Sequence, residues 1–199
     1  EDASSIYSKT EIILQSVDGF PALVSDPWLN AKITTLHACS DLWASGVNLS
    51  SAQALITIPN IEEDFQKYLF TQSLKGIKST VENLGGKLLG GHTFESRNYC
   101  EKPYSLGIDI SLVVQGVLKN GDNPWKKSGL KSGDILLMSR PLGVGIFFAA
   151  HMRNVKLDSS YESVFSSSIK SQQPLINKLR SLQETFGQNI VNAATDITG

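Results

Sequence analysis

Cysteine is scarce in this 199-residue chain: there are two, Cys39 and Cys100, far apart, with no CxxC pair and no partnered histidines. That excludes a disulfide framework and gives no sign of a zinc site, so a reducing compartment is the default expectation. Charge of one sign is also lacking. With 18 basic and 19 acidic residues the formal charge is -1, and no general field exists for holding a polyanion such as DNA. Any phosphate must be gripped locally. No apolar run approaches the roughly 20 residues needed to cross a bilayer, and the opening EDASS has neither the basic nor the apolar region of a signal peptide. The chain therefore reads as cytoplasmic, binding neither nucleic acid nor membrane. A Walker loop of the form GxxxxGKS/T is absent, and no repeat with a period of 20 to 50 residues is visible. What is present is an ordinary globular composition, 41% hydrophobic, long enough for one complete core and part of a second domain. The chain begins without Met and stops at ATDITG, which looks like the interior of an element; a fragment at both ends is the expectation.

The order of elements follows from local chemistry. EIILQSVD, residues 11 to 18, is β-rich and closes on GFP, which predicts a strand ending in a turn. Asp26 before Pro27 is an N-cap followed by proline at N1, opening a helix that should run to about Gly46. AQALITIPN predicts a second strand, stopped by Pro59 and Asn60. In IEEDFQKYLFTQSLKGIKSTVENLG the apolar residues Phe65, Leu69, Leu74, Ile77 and Val81 fall near helical spacing, with acids in the first turn and Gly85 and Gly86 at the end. Strands follow in KLLGGHT and LGIDISLVVQGVL, the second with Ile108, Ile110 and Leu112 alternating as on a half-buried face, and a short strand fits DILLMS after the turn LKSGD. The fold class is α+β: a mixed sheet of four to five strands with helices on one face. From Pro141 the character changes to an apolar helix in PLGVGIFFAAHMRN and then mostly helical sequence on either side of Pro174, placing a domain boundary near Arg140 to Gly145.

Four aspartates share one context. Asp2, Asp18, Asp41 and Asp196 are each flanked by small or apolar residues, as a carboxylate held near the protein body would be. That suits Mg²⁺, a hard cation taking oxygen ligands, which reaches nucleotide phosphates through one or two carboxylates and keeps waters elsewhere. The structural readings are that Asp26 is only a cap and that Asp2 or Asp18 alone would be turn residues. Asp41 is harder to dismiss, because an unpartnered carboxylate in a buried helix end costs several kcal/mol or must take up a proton; an N–H pair or a lysine would also satisfy it. In LLGGHTFES, residues 88 to 96, Gly91, His92 and Thr93 would offer N–H, imidazole and hydroxyl donors to an anion, or simply form a glycine bulge. In SRPLGVG the glycines and Arg140 suit a phosphate contact or a hinge equally.

Taken in order, EDAS (pattern DDAAV), SVDGF (TDFF), SDPW (DDP), HACSDLWASG (NAxSDxxAMGG), LLGGHT (GGHS), GDILLMSRPLGVGI (GDxLxLTKPLGTGI) and ATDITG (TDVTG) resemble the selenide, water dikinase, or selenophosphate synthetase, family of the aminoimidazole ribonucleotide synthetase-like superfamily. GGH distinguishes this family from relatives with GGE or GGD there. The resemblance implies that Asp2, Asp41 and Asp196 are Mg²⁺ ligands, that Glu1, Asp18 and Asp41 meet ATP and its metals, and that Gly91, His92 and Thr93 reach ATP across a dimer interface. It implies a homodimer whose N-terminal sheets pair into a barrel, with residues 1–140 as the ATP-binding and dimerisation domain and 141–199 as the start of an α/β C-terminal domain. The implied reaction turns ATP, selenide and water into selenophosphate, AMP and phosphate. The family's Cys or selenocysteine and its lysine would lie upstream of Glu1, so no catalytic residue is carried over onto this segment. His37 stands where the pattern has Asn, VDGF replaces TDFF, and RPLG replaces KPLG. Another superfamily enzyme with a different acceptor, and a non-catalytic nucleotide-binding or dimerisation relative, are the competing readings.

Overall fold

A computed structural model of the chain describes residues 3–7, 10–99, 107–119, 121–155 and 161–198. Five strands, β1 (Ser4–Tyr7), β2 (Glu11–Pro21), β3 (Ser51–Asn60), β4 (Lys87–Tyr99) and β5 (Asp109–Lys119), form one sheet in the order β1-β2-β5-β3-β4. Every neighbouring pair is antiparallel except β3 with β4. Those two are joined by the helix α3 (Glu63–Asn83), because parallel strands need a crossover too long for a hairpin. The class is α+β, as the order of elements predicts.

Alternation decides which face is covered. Leu14 on β2, Ala52, Ala54 and Ile56 on β3, and Ile110, Leu112 and Val114 on β5 are buried, and they pack in one core with Ala31, Leu36, Leu69, Ile77 and Val81 of the helices. The other face carries Ile6, Val17, Leu55, Phe94 and Val117, all exposed, and no helix covers it. Asp26 caps α1 (Pro27–Ala38), its side chain accepting from the Leu29 N–H at 2.8 Å. Where α1 meets α3, Gly76 is required by close approach: a Cβ there would collide with the carbonyl oxygen of Trp28.

Three expectations need correction. The helix predicted from Pro27 to about Gly46 is interrupted at Cys39 and resumes as α2 (Ser40–Ala44), and Gly46 ends it at φ 78°. Residues 134–139 form no strand: the predicted turn is there, with the Lys131 N–H donating to Asp134 at 2.8 Å, but Ile135 and Leu136 are 92% and 82% exposed. A strand needs a neighbour for its backbone groups, and among the described residues this segment has none. Phe65, placed on the apolar side of α3, is exposed and stacks on Tyr68 instead.

The later helices α4 (Val144–Met152), α5 (Tyr161–Ser168) and α6 (Gln173–Phe186) follow the predicted pattern, with Pro174 opening α6. Phe147 and Phe148 of α4 pack with Phe165 of α5 against Ile33 of α1. The α6 helix docks through Ile176 and Leu179 on the main core. Polar contacts complete the docking: Arg180 Nε donates to the Gly46 carbonyl at 2.9 Å, Trp125 Nε1 to Gln183 at 3.1 Å, and Asn48 Nδ2 to Asn177 at 2.6 Å. After Gly187, in the left-handed region at φ 61°, the chain runs back without regular structure, pinned where the Ala194 N–H meets the Lys126 carbonyl at 2.9 Å. Among the described residues no helix is long and apolar enough to cross a membrane.

Candidate functional site

The returning segment brings Asp196 to the helix break. Ser40 Oγ donates to Asp196 Oδ2 at 2.7 Å across 156 positions of sequence, and Thr198 donates to the same oxygen at 3.2 Å. The next residue, Asp41, accepts a hydrogen bond from Ser16 of β2. Two places along that strand, on the same helix-covered side, lies Asp18. Its Oδ2 is 2.8 Å from His37 Nε2 at the end of α1, and its Oδ1 accepts the Gly19 N–H at 2.7 Å. Asp196, Ser40, Asp41, Ser16, Asp18 and His37 thus form one line of polar side chains over the middle of β2. At the far end of α2 the Ala3 N–H donates to Ser45 Oγ at 3.4 Å. Glu1 and Asp2 lie outside the described residues.

In α2 Leu42 and Trp43 are buried while Ser40 and Asp41 keep polar partners. Cys39 itself is sealed in the core, and burial pushes its thiol up to about 12, which makes it neither a nucleophile nor a ligand.

The glycine segment is elsewhere in the chain's own fold. Asp18 pairs with Leu112, Leu112 with Ala54, and Ala54 with Gly91, so Asp18 and Gly91 share one row of the sheet. Three interstrand spacings of about 4.8 Å put them roughly 14 Å apart. A Cβ at Gly91 would run into the Ala54 carbonyl, so this glycine is needed by the β3–β4 pairing itself. His92 sits in the next row opposite Leu55, on the uncovered face, with its ring 4.5 Å from that of Phe94. Thr93 follows opposite Ile56. The structure therefore strings Asp18, Asp41 and Asp196 along β2 and α2, each on its own serine or histidine partner and not gathered into one cluster, and it does not bring Gly91, His92 and Thr93 to them within one chain. Arg140, the other phosphate candidate, donates to the Lys170 carbonyl, and burial lowers its pKa.

Among the described residues no three His, Cys, Asp or Glu side chains are grouped to hold a metal. The donor set nonetheless fits Mg²⁺ in kind. It consists of carboxylate and hydroxyl oxygens, and one or two carboxylates are what that ion takes from protein when phosphates and waters complete its octahedron. Sequence reasoning missed Ser16, Ser40 and His37 as partners. The only signal available was that His37 departs from the pattern around it.

The chain matches the model of the AIR synthase related protein N-terminal domain over residues 1–118. It is 28% identical over 214 residues to a selenide, water dikinase of Methanocaldococcus jannaschii, covering 100% of this chain and 57% of the relative. It is also 28% identical over 200 residues to the selenide, water dikinase of Caldanaerobacter subterraneus, covering 100% of this chain and 52% of that one. The chain spans about half the length of the curated relatives it matches. Among solved structures, the one described as AaThiL complexed with AMPPCP and TMP superposes with a TM-score of 0.70 at 16% identity, covering 89% of this chain and 56% of the other. At that identity the likeness is one of fold.

Proposed function

The chain belongs to the AIR synthase related protein family, whose N-terminal domain it carries, and on that premise we propose that it is the nucleotide-handling part of a selenophosphate synthetase. The reaction is the conversion of ATP, selenide and water to selenophosphate, AMP and phosphate, carried out by the longer protein in the cytoplasm. Residues 1–140 are assigned to ATP binding and dimerisation, and 141–199 to the beginning of the C-terminal domain.

The single observation that carries this reading is the meeting of Asp196 with Ser40, beside Asp41, across 156 positions. A carboxylate brought this far along the chain to the residue next to Asp41 suits a site that is to hold something positive. We assign Asp41 and Asp196, with Asp2, to Mg²⁺, and Asp18 and Asp41, with Glu1, to ATP and its metals. When bound, Mg²⁺ neutralises charge on the polyphosphate oxygens, which is most of what phosphoryl transfer asks of a site. The chain's own residues do the placing. The hydroxyls of Ser16 and Ser40 hold two carboxylates ready and yield them to a cation, which attracts a carboxylate more strongly than a neutral hydroxyl does.

The uncovered face supports the homodimer. Val17 is 63% exposed, and with Ile6, Leu55, Phe94 and Val117 it leaves a sheet face that is apolar and unpacked in one copy. In that pairing His92 turns toward the second subunit, with Gly91 and Thr93 beside it on the edge strand β4, and we assign the three to the ATP of the second subunit. The departure at His37 favours one alternative, an ATP-using enzyme of the same superfamily with another acceptor. Selenide-dependent AMP formation by the full-length protein separates the two. On the proposed function AMP appears only with selenide, and Asp41→Asn lowers its rate at least about 100-fold by removing a ligand of the metal. AMP formation or Mg²⁺-ATP binding untouched by Asp41→Asn refutes the assignment.

A further inference from the structure

His37 is the one member of the polar line that departs from its family pattern, and its geometry gives it a task. Its Nε2 meets Asp18 Oδ2 at 2.8 Å, while the Gly19 N–H meets Oδ1 at 2.7 Å. A carboxylate offers about four acceptor positions, so these two donors fix its plane and leave capacity on both oxygens. The Asp18 side chain keeps 31% of its surface exposed, against 18% for His37, so the open edge belongs to the carboxylate and the imidazole stands behind it. The imidazole is itself held: the Phe20 ring lies 4.1 Å from it, and the residue stands in the last turn of α1.

We propose that His37 is a positioning residue that orients Asp18 toward the polyphosphate of the nucleotide and its metal. The inference rests on the reading of Asp18 as a nucleotide contact. It also accounts for the departure. The amide nitrogen of an asparagine ends one bond sooner than the Nε2 of a histidine, so from the same backbone position Asn does not span this gap to Asp18. Glutamine does. The replacement of Asn by His is therefore a change of reach in a contact that a ligand will load, and the two residues are expected to act as a unit.

The test uses the full-length protein, Mg²⁺ and the non-hydrolysable analogue AMPPCP, with affinity read by calorimetry and the fold by the thermal midpoint. His37→Ala is expected to weaken analogue binding about tenfold with little change in midpoint, since His37 is at the edge of the core. His37→Gln should return to within about twofold of the parent, and His37→Asn should remain with the alanine variant. In an Asp18→Asn background His37→Ala should change affinity less than about twofold, because the group it positions is gone. Unchanged affinity in His37→Ala overturns the inference, as does a full further tenfold loss in the Asp18→Asn background. If Asp18→Asn alone leaves affinity unchanged, the nucleotide reading of Asp18 fails first, and the His37 inference falls with it. A loss in Asp18→Asn with none in His37→Ala sinks the His37 inference alone.

Discussion

Replacing Arg180 by Ala tests whether the docking of α6 holds Asp196 in place. The guanidinium makes three contacts that link α6 to the N-terminal layer: Nε to the Gly46 carbonyl at 2.9 Å, Nη2 to the Asn123 carbonyl at 3.2 Å, and the Trp125 ring at 4.8 Å from the charge. Burial lowers its pKa and Asp122 raises it, and the group stays charged in either case. A part-buried hydrogen bond from a charged donor contributes roughly 1.5–3 kcal/mol. The exposed bond to Asn123 is replaced by water and adds little. A half-exposed cation–π contact adds about 0.5–1 kcal/mol. The total of about 2–4 kcal/mol falls on a local equilibrium, because these contacts are to Gly46, Asn123 and Trp125, which lie outside the strands. At about 1.4 kcal/mol per tenfold, α6 should open roughly 30-fold or more often. Undocked, a helix of 14 residues is marginal in water and unravels, so its amides exchange. Amide hydrogen exchange by NMR is the assay. Residues of α6 and the Ala194 N–H should exchange about 30-fold faster, with β5 amides such as Leu112 unchanged. Arg180→Lys should recover less than half the loss, since one ammonium does not reproduce the planar fork. Protection of α6 equal to the parent, or an equal loss in β5, refutes the reasoning.

Gly76→Ala pushes a methyl into the Trp28 carbonyl where α1 crosses α3, and overpacking of this kind should cost about 1–3 kcal/mol in denaturant unfolding at unchanged m-value. The Cys39 thiol, raised from 9.0 to about 12 by burial, holds its proton more tightly folded than unfolded. Its contribution is therefore complete below pH 9 and is lost as pH climbs toward 12, by up to about 1.4 kcal/mol per unit, a slope that Cys39→Ala should abolish in alkaline unfolding curves. Val17→Asp, a charge on the uncovered face, should convert the proposed dimer to monomer in sedimentation while leaving the circular dichroism unaltered; a dimer that survives it places the interface elsewhere.

Alternation and capping are local, and what depends on them was legible. Ile108, Ile110 and Leu112 mark the buried side of the sheet, and Asp26 with Pro27 marks the start of α1. What depends on a distant partner was not. The strand β1 is four residues that owe their conformation to pairing with Ile12–Gln15, and DILLMS reads as a strand but has no such partner among the described residues. The break at Cys39 is hidden because no Gly or Pro stands between Pro27 and Gly46 to mark it. For the site, small and apolar neighbours marked Asp2, Asp18, Asp41 and Asp196 as candidates, and only the family resemblance gave Asp18 a role beyond that of a turn residue. Which hydroxyl or imidazole meets each is a property of register and docking, and no spacing in the sequence contains it.

The division of the candidate residues between two faces of one sheet carries its own argument for a second subunit. Asp18 and Gly91 share a row, but Leu112 and Ala54 fill the interval between them with buried side chains, so no ligand lies across that row on the covered side. His92 turns the other way, toward the face that holds Val17 and Leu55. A two-fold pairing through that face is self-complementary: each copy's uncovered residues meet the other's. In the proposed dimer, His92 is thereby directed away from its own acid line and toward a neighbour. The sheet edge formed by β4 then has two tasks in one sequence. Gly91 lets the strand close on Ala54, and the residue after it presents a ring to the facing copy. A variant that keeps the first task and removes the second, His92→Ala, should leave the thermal midpoint near the parent while weakening Mg²⁺-AMPPCP binding. Mixed dimers that combine His92→Ala in one subunit with Asp41→Asn in the other should retain one intact site, and a mixture no better than either variant alone would refute the shared site.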